Sequence, residues 1–493
     1  MKQRETNVKI VTLTVFIATF MTAIEATILA TAMPTISATL KGGEIMSWVF
    51  SIYLLTNAMM TPIYGKLTDS IGRKPVFQFG IFMFILGSAL CGISDNMIQL
   101  ILFRAIQGIG AGAIMPVALT IIGDIYTVEK RAKVLGYNSA AWGIASVVGP
   151  LAGGFIVDSI GWHWIFFVNI PIGIILMILL QLFLVEPKKE TEKLPVDYAG
   201  SLTLMILLLS LMYGFQTISD AGRVTTQTWL CFGLTAIATV MFVRVEGKAK
   251  DPVISLTLLK NWPFMVVNII AALVSGFLMG LDVYIPMWMQ GLLGMKAAYG
   301  GLALTPLSVT WIGGSFIAGR LLDKTTTKRA LTVGLTIIML GAVALAIAPA
   351  QLSFWAFCLI TAWTGIGLGI TITCATVKAQ SSVPKENMGV ATSFNTLSRT
   401  LGQTIMVSIF GVVLNHQINH QLSLPKHQSL TREMVDEVAN PHFLVNLPAE
   451  LIDTLRDILY SGLHSIYVVG VLLLILAQVL NQFQKGESLN HTL

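Results

Sequence analysis

Charged side chains inside long apolar runs are the residues of this chain best placed to do chemistry. Glu25 stands alone in an otherwise uncharged stretch of about residues 10–32, and Asp282 directly follows the uncharged run 261–281. A carboxyl held away from water can take up and release a proton near neutral pH, and its ionised form offers a counter-charge to a cation. Arg104 and Arg399 are bases in similar surroundings. A lone guanidinium inside an apolar span is costly and demands a partner. For Arg104 that partner is either a carboxyl whose proton transfer it tunes or a set of backbone carbonyls. Asn395, Arg399 and Gln403 recur at i, i+4 and i+8 and so share one helix face. That face either lines a cavity or ties helices together.

The elements that must hold these groups follow from composition. Of 493 residues, 55% are hydrophobic and 11% charged, against about 25% charged in an ordinary soluble chain. The apolar residues come as long runs. Lipid cannot satisfy exposed backbone N–H and C=O groups, so such runs must be helices, each needing about 20 residues to cross the hydrocarbon core. Uncharged runs at 45–65, 75–94, 134–157, 198–219, 224–243, 261–281, 297–319 and 458–484 each fit one span, and 330–377 has room for two. Spans at about 10–32, 97–122, 163–183 and 388–414 complete an all-α polytopic membrane protein with fourteen transmembrane helices.

The basic residues test that count. Lys and Arg concentrate on the cytoplasmic side of membrane proteins. With both termini cytoplasmic, 23 of the 31 Lys and Arg residues fall on inside segments, six fall outside, and Arg104 and Arg399 lie within spans. The net charge of +6 therefore reads as topology. A nucleic-acid footprint would need bases gathered on a soluble face, so no nucleic-acid partner is expected. The basic N-terminus and Ala30-Thr31-Ala32 look like a cleavable leader, but a run this long carrying Glu25 reads as a retained first helix. Cys91, Cys231, Cys358 and Cys374 have no metal-site spacing and read as packing residues; no metal or cofactor is expected.

A repeat organises the spans. Gly65-Lys-Leu-Thr-Asp69 and Gly319-Arg-Leu-Leu-Asp323 are 254 residues apart and end the second and tenth spans. The pattern predicts two six-helix bundles, 1–185 and 261–493, joined by a linker, 186–260, that carries helices 7 and 8. Glu25 precedes Gly65 by 40 residues and Asp282 precedes Gly319 by 37. Either both acids face the interior at similar heights, or Asp282 lies at the outer boundary near Lys296. A long external loop is expected at about 415–461, as a gate or a surface hairpin. Its part 448–460 has Leu451, Leu455, Ile458 and Leu459 on one helical face.

Four segments carry a family resemblance. Gly65-Lys-Leu-Thr-Asp69-Ser-Ile-Gly72-Arg73-Lys74 resembles the signature loop of the major facilitator superfamily, G-x-L-x-D-R-x-G-R-[KR], departing at Ser70, where the family has a base. The resemblance implies that Gly65, Asp69, Gly72 and Arg73 form a cytoplasmic latch, with Asp124, Glu129 and Arg131 as candidate partners. Arg104-Ala-Ile-Gln107-Gly108-Ile-Gly110 is similar to the second motif, R-x-x-Q-G-x-G. Gly149-Pro150-Leu-Ala-Gly153-Gly154 resembles the G-P-x-x-G-G motif of antiporters, and Pro150 predicts a helix kink. The segment around Glu25 resembles the first-helix motif of the fourteen-helix drug:proton antiporter family, with Glu for the usual Asp, which extends its reach by one methylene.

The resemblance implies a plasma-membrane antiporter, functional as a monomer, that exports diverse amphipathic or cationic small molecules against protons. Two other readings remain: a dedicated exporter of one metabolite, lipid or peptide, and a non-transporting membrane sensor or membrane enzyme. No P-loop pattern points to ATP, and no residue set points to covalent catalysis.

Overall fold

A computed structural model describes residues 6–40, 47–186, 197–221, 223–249, 252–254, 256–295, 297–427, 430–438 and 448–484. Among them there is no strand. The helices are α1 (Val8–Leu40), α2 (Ser47–Ile71), α3 (Arg73–Gly92), α4 (Met97–Ile125), α5 (Val128–Ile160), α6 (Trp164–Phe167) and α7 (Asn169–Phe183). Then come α8 (Tyr198–Ala221), α9 (Thr226–Glu246) and α10 (Leu256–Lys260). The rest are α11 (Trp262–Met287), α12 (Ala297–Lys324), α13 (Thr327–Ala346), α14 (Phe354–Ser381), α15 (Met388–Leu422), α16 (Arg432–Val438) and α17 (Ala449–Gln482). A π-turn, Trp288–Leu292, extends α11.

Twelve of these helical segments, among the described residues, are long and apolar enough to cross a membrane. Of the fourteen spans expected, α2 and α5 are not among the twelve. Both exceed 20 residues. However, the uncharged run of α2 is diluted by Ser47, Ser51, Thr56, Asn57 and Thr61, and many side chains of α5 lie outside the described residues.

The expected external loop is shorter than 415–461. Helix α15 continues to Leu422, and α17 begins at Ala449. The amphipathic pattern explains the second boundary: Leu455, Ile458 and Leu459 are buried and join the core around Trp288, so the segment is the first turns of the last helix. Between them, α16 buries Val435 and Val438 in the same core.

The chain divides into two compact units, Met1–Tyr213 with Leu230–Met265 and Thr376–Ser398, and Gly214–Trp229 with Val266–Ala375 and Arg399–Leu493. In the first, glycines bring α3 and α4 into backbone contact: a Cβ on Gly110 would lie 2.6 Å from the Gly80 carbonyl oxygen. Such small-residue seams are how helices associate where lipid supplies no hydrophobic drive. In the second, α11 meets α15 the same way, with Gly276 facing the Gly402 carbonyl and Gly280 facing Phe410. Trp288, Phe357 and Tyr467 fill its core.

Candidate functional site

Five helices of the first unit converge on Glu25. The close α3–α4 seam sets Arg104 and Gln107 of α4 against Ser88 of α3. Arg104 Nη1 donates to Glu25 Oε1 of α1 at 2.8 Å, and both side chains are 1% exposed. The same nitrogen donates to Gln107 Oε1 at 2.6 Å, and Nε donates to the Val49 carbonyl of α2 at 3.2 Å. Tyr53, also on α2, places its ring 4.1 Å from the guanidinium carbon, a cation–π contact away from water. The second carboxylate oxygen, Oε2, accepts from Asn169 Nδ2 at 2.7 Å, where α7 begins. Ser88 Oγ ties the set together, accepting from Gln107 Nε2 at 2.7 Å and from Asn169 Nδ2 at 3.2 Å.

The arrangement joins two alternatives that the sequence left open. Arg104 engages a carboxyl and a backbone carbonyl at once. It also alters one expectation: Glu25 already has a full counter-charge, so it is not an open anion awaiting a cation. Removing one partner of a buried pair leaves the other charge uncompensated at a cost of about 3–5 kcal/mol. A proton on Glu25 does the same thing chemically, cancelling the carboxylate while leaving Arg104 its contacts to Val49, Gln107 and Tyr53.

The glycine-rich segment of α5 reaches this site through α1. A Cβ on Gly149 would collide with the Thr27 side chain, and Thr27 Oγ1 donates to the Ala145 carbonyl at 3.1 Å. Thr27 is two residues from Glu25. Gly153 is buried. The side-chain positions of Pro150 and Gly154, like that of Glu129, lie outside the described residues.

The loop after α2 forms a second cluster. Arg73 Nε pairs with Asp124 Oδ2 at 2.7 Å, Nη1 donates to the Thr68 carbonyl at 2.9 Å, and Nη2 lies 3.3 Å from Asp69 Oδ1. Asp69 also accepts the backbone N–H groups of Gly389 (3.1 Å) and Val390 (2.9 Å). These are free donors in the first turn of α15, so Asp69 caps that helix and meets the positive end of its dipole. Gly65 permits the approach, because a Cβ there would strike Ser393 and lie 2.9 Å from the Gly389 carbonyl. Gly72 has φ 100°, a left-handed conformation that only glycine adopts freely. Glu186 covers it, accepting the N–H groups of Arg73 (2.6 Å) and Lys74 (3.1 Å) at the start of α3. Arg131 joins a neighbouring contact, donating to the Gly123 carbonyl at 2.6 Å and to Gln380 Oε1 at 3.2 Å.

The remaining expected residues are not part of either cluster. The side chain of Asp282, on α11, is accessible, unlike that of Glu25. Asn395 is buried and accepts from Thr376 Oγ1 at 3.2 Å. Arg399, one turn along α15, is half-buried, and its Nε has no hydrogen-bond partner. Gln403 is half-buried.

Sequence reading missed Asn169, Ser88, Glu186, Gln380, Gly389 and Val390. Gln107 stands inside the R-x-x-Q-G segment and was legible there. Asn169 and Glu186 carry no spacing signal, because each meets its partner across more than 100 residues.

Comparison with known proteins gives the family. A family model described as Major Facilitator Superfamily matches residues 15–407. The multidrug transporter protein MdtP of Bacillus subtilis (strain 168) is 34% identical over 96% of this chain and 92% of its own length. Multidrug resistance protein 3 of the same organism is 32% identical over 97% and 95%. The multidrug efflux pump SdrM of Staphylococcus aureus (strain N315) is 32% identical over 80% and 86%. Among solved structures, the human organic anion transporter MFSD10 (TETRAN) superposes with a TM-score of 0.65 at 13% identity, covering 96% of this chain and 99% of that one; that likeness concerns the fold alone.

Proposed function

This chain belongs to the Major Facilitator Superfamily, and on that premise we propose that it is a proton-coupled antiporter exporting structurally diverse amphipathic or cationic compounds. It is a multi-pass membrane protein, and the relatives named above are transporters rather than enzymes. The finer reading adds α2 and α5 to the twelve spans, giving fourteen, arranged six, two and six. Both termini then lie in the cytoplasm, the protein sits in the plasma membrane, and one chain suffices.

The observation that carries the proposal is the buried pair of Glu25 and Arg104. A carboxylate whose full counter-charge, among the described residues, is one neighbouring base is a two-state element. Ionised, it holds Arg104; protonated, it releases it. Proton coupling of alternating access needs such an element, one that senses a proton and moves a helix contact. Glu25 is then the proton carrier. Asp282, exposed on α11, is the acid available to a cationic substrate. Asp69 and Arg73 act as the latch, holding the first turn of α15 in one state and releasing it in the other. Gly149 keeps α5 against α1 beside Glu25 through both.

Everted membrane vesicles test this reading. An acid-inside pH jump should drive a panel of cationic dyes into wild-type vesicles, and Glu25→Gln should abolish that uptake while the protein remains folded. Full uptake by the Glu25→Gln variant would sink the assignment. Uptake of a single compound with indifference to the panel would identify a dedicated exporter, and absence of any gradient-driven flux would favour a sensor.

A further inference from the structure

Two acids that no part of this cycle uses meet where the connecting helices begin and end. Asp197 directly precedes α8, and Glu246 is the last residue of α9. Asp197 caps α8: Oδ1 accepts the Gly200 N–H at 2.7 Å, and its carbonyl accepts from Ser201 Oγ at 2.7 Å. Glu246 Oε1 accepts the Val253 N–H at 3.2 Å. Each carboxyl therefore spends one oxygen on backbone. The other oxygens, Asp197 Oδ2 and Glu246 Oε2, are buried without a hydrogen-bond partner among the described residues. Glu246 is 3% exposed.

The two groups are also close to each other. A Cβ on Gly200 would lie 2.7 Å from Glu246 Oε1 and still nearer Asp197 Oδ2. One point thus touches both carboxyls, and glycine is the residue that leaves room for them. Lys66 of α2 is the base whose charge reaches Glu246. Arg244 and Lys248, on the same stretch as Glu246, are exposed. Among the described residues, Lys66 is then one ammonium facing two carboxylates. Burial first, and the neighbouring Asp197 charge second, favour the neutral form of Glu246. A proton held between Asp197 Oδ2 and the Glu246 carboxyl would give Asp197 Oδ2 the partner it lacks.

We propose that Asp197 and Glu246 hold one proton between them, forming a second proton-binding site separate from Glu25. The proton comes from water at the membrane surface and returns to it, so loading changes the local charge by one. Lys66 senses that change, and Lys66 lies three residues before Asp69, which caps α15. The site thus reports pH on the proposed cytoplasmic side to the segment that holds α15.

Glu246→Gln is a suitable probe, since its amide oxygen can still accept from Val253 while the titratable proton is gone. Difference infrared spectroscopy of the full-length protein in nanodiscs should show a protonated-carboxyl band that disappears as pH rises. Glu246→Gln and Asp197→Asn should each lose that band, whereas Glu25→Gln and Asp282→Asn should keep it. An unchanged band in both Glu246→Gln and Asp197→Asn overturns the shared proton. In everted vesicles with a fixed pH difference, wild-type flux should step with bath pH and the Glu246→Gln profile should be flat. A Glu246→Gln profile matching wild type overturns the link to Lys66. Only this flux arm rests on the exporter reading, and loss of flux in wild type itself would expose failure of that reading separately.

Discussion

Arg104 reaches Glu25 across 79 residues of sequence, and the two side chains form an ion pair at 2.8 Å that is sealed from solvent. Everything proposed for coupling depends on this pair being breakable by one proton. Arg104→Met should lower stability by about 3–5 kcal/mol, since it leaves a buried carboxylate uncompensated. The double variant Glu25→Gln/Arg104→Met should recover a large part of that loss. Thermal unfolding in detergent of the two single variants and the double variant measures both quantities. A double variant less stable than Arg104→Met would mean that the pair is not the stabilising contact.

Asp282 and Glu25 should separate by substrate. Asp282→Asn is expected to reduce efflux of cationic dyes at least tenfold, roughly 1.4 kcal/mol of transition-state or binding energy, while sparing neutral amphiphiles. Glu25→Gln should stop both. Competition assays in vesicles with charged and uncharged compounds read the difference, and equal loss of both classes in Asp282→Asn would remove it from substrate recognition.

The cap on α15 has a local signature. Asp69→Ala deletes a carboxylate that accepts two N–H groups of the first turn. Loss of such a cap costs about 1 kcal/mol. Hydrogen exchange over the peptide containing Gly389 and Val390 should therefore quicken by roughly fivefold, since a 1.4 kcal/mol change is about tenfold. Exchange in α3, whose first N–H groups are covered by Glu186, should stay the same.

Gly149→Ala should damage transport by forcing α5 away from α1. The added methyl collides with Thr27 Oγ1 and comes within 2.8 Å of Thr27 Cβ; overpacking of this kind costs about 1–3 kcal/mol. Adding Thr27→Ala removes the hydroxyl but keeps the Cβ, so rescue should be partial. Flux and unfolding temperature for the single and double variants decide it, and complete rescue would place the damage at the hydroxyl alone.

Much of this was legible in the residues themselves. Lipid forces backbone hydrogen bonds to be satisfied within each span, so uncharged runs had to be helices, and charged residues inside them had to be special. That logic picked out Glu25 and Arg104 directly, while Asp69 and Arg73 stood out through the resemblance of their loop to the family signature. It also placed Gly65 and Gly149, because runs of small residues mark close helix approach. The same logic overextended the external loop at 415–461, where charge and polarity concealed the continuation of α15 and the start of α17.

Which groups meet was a different matter. Helical periodicity relates a residue to neighbours three or four positions away; it says nothing of how one helix is rotated against another. Asn169 lies 144 residues from Glu25, and Val390 lies 321 from Asp69. Those pairings are set by helix crossings at Gly110 and Gly65, where the missing side chains let backbones touch. The crossings of the first unit bury Glu25 against a base, whereas the Asp282 side chain is accessible. The sequence by itself determined the helices and the charges they carry. Packing alone decided that Glu25 would have Arg104 as its counter-ion.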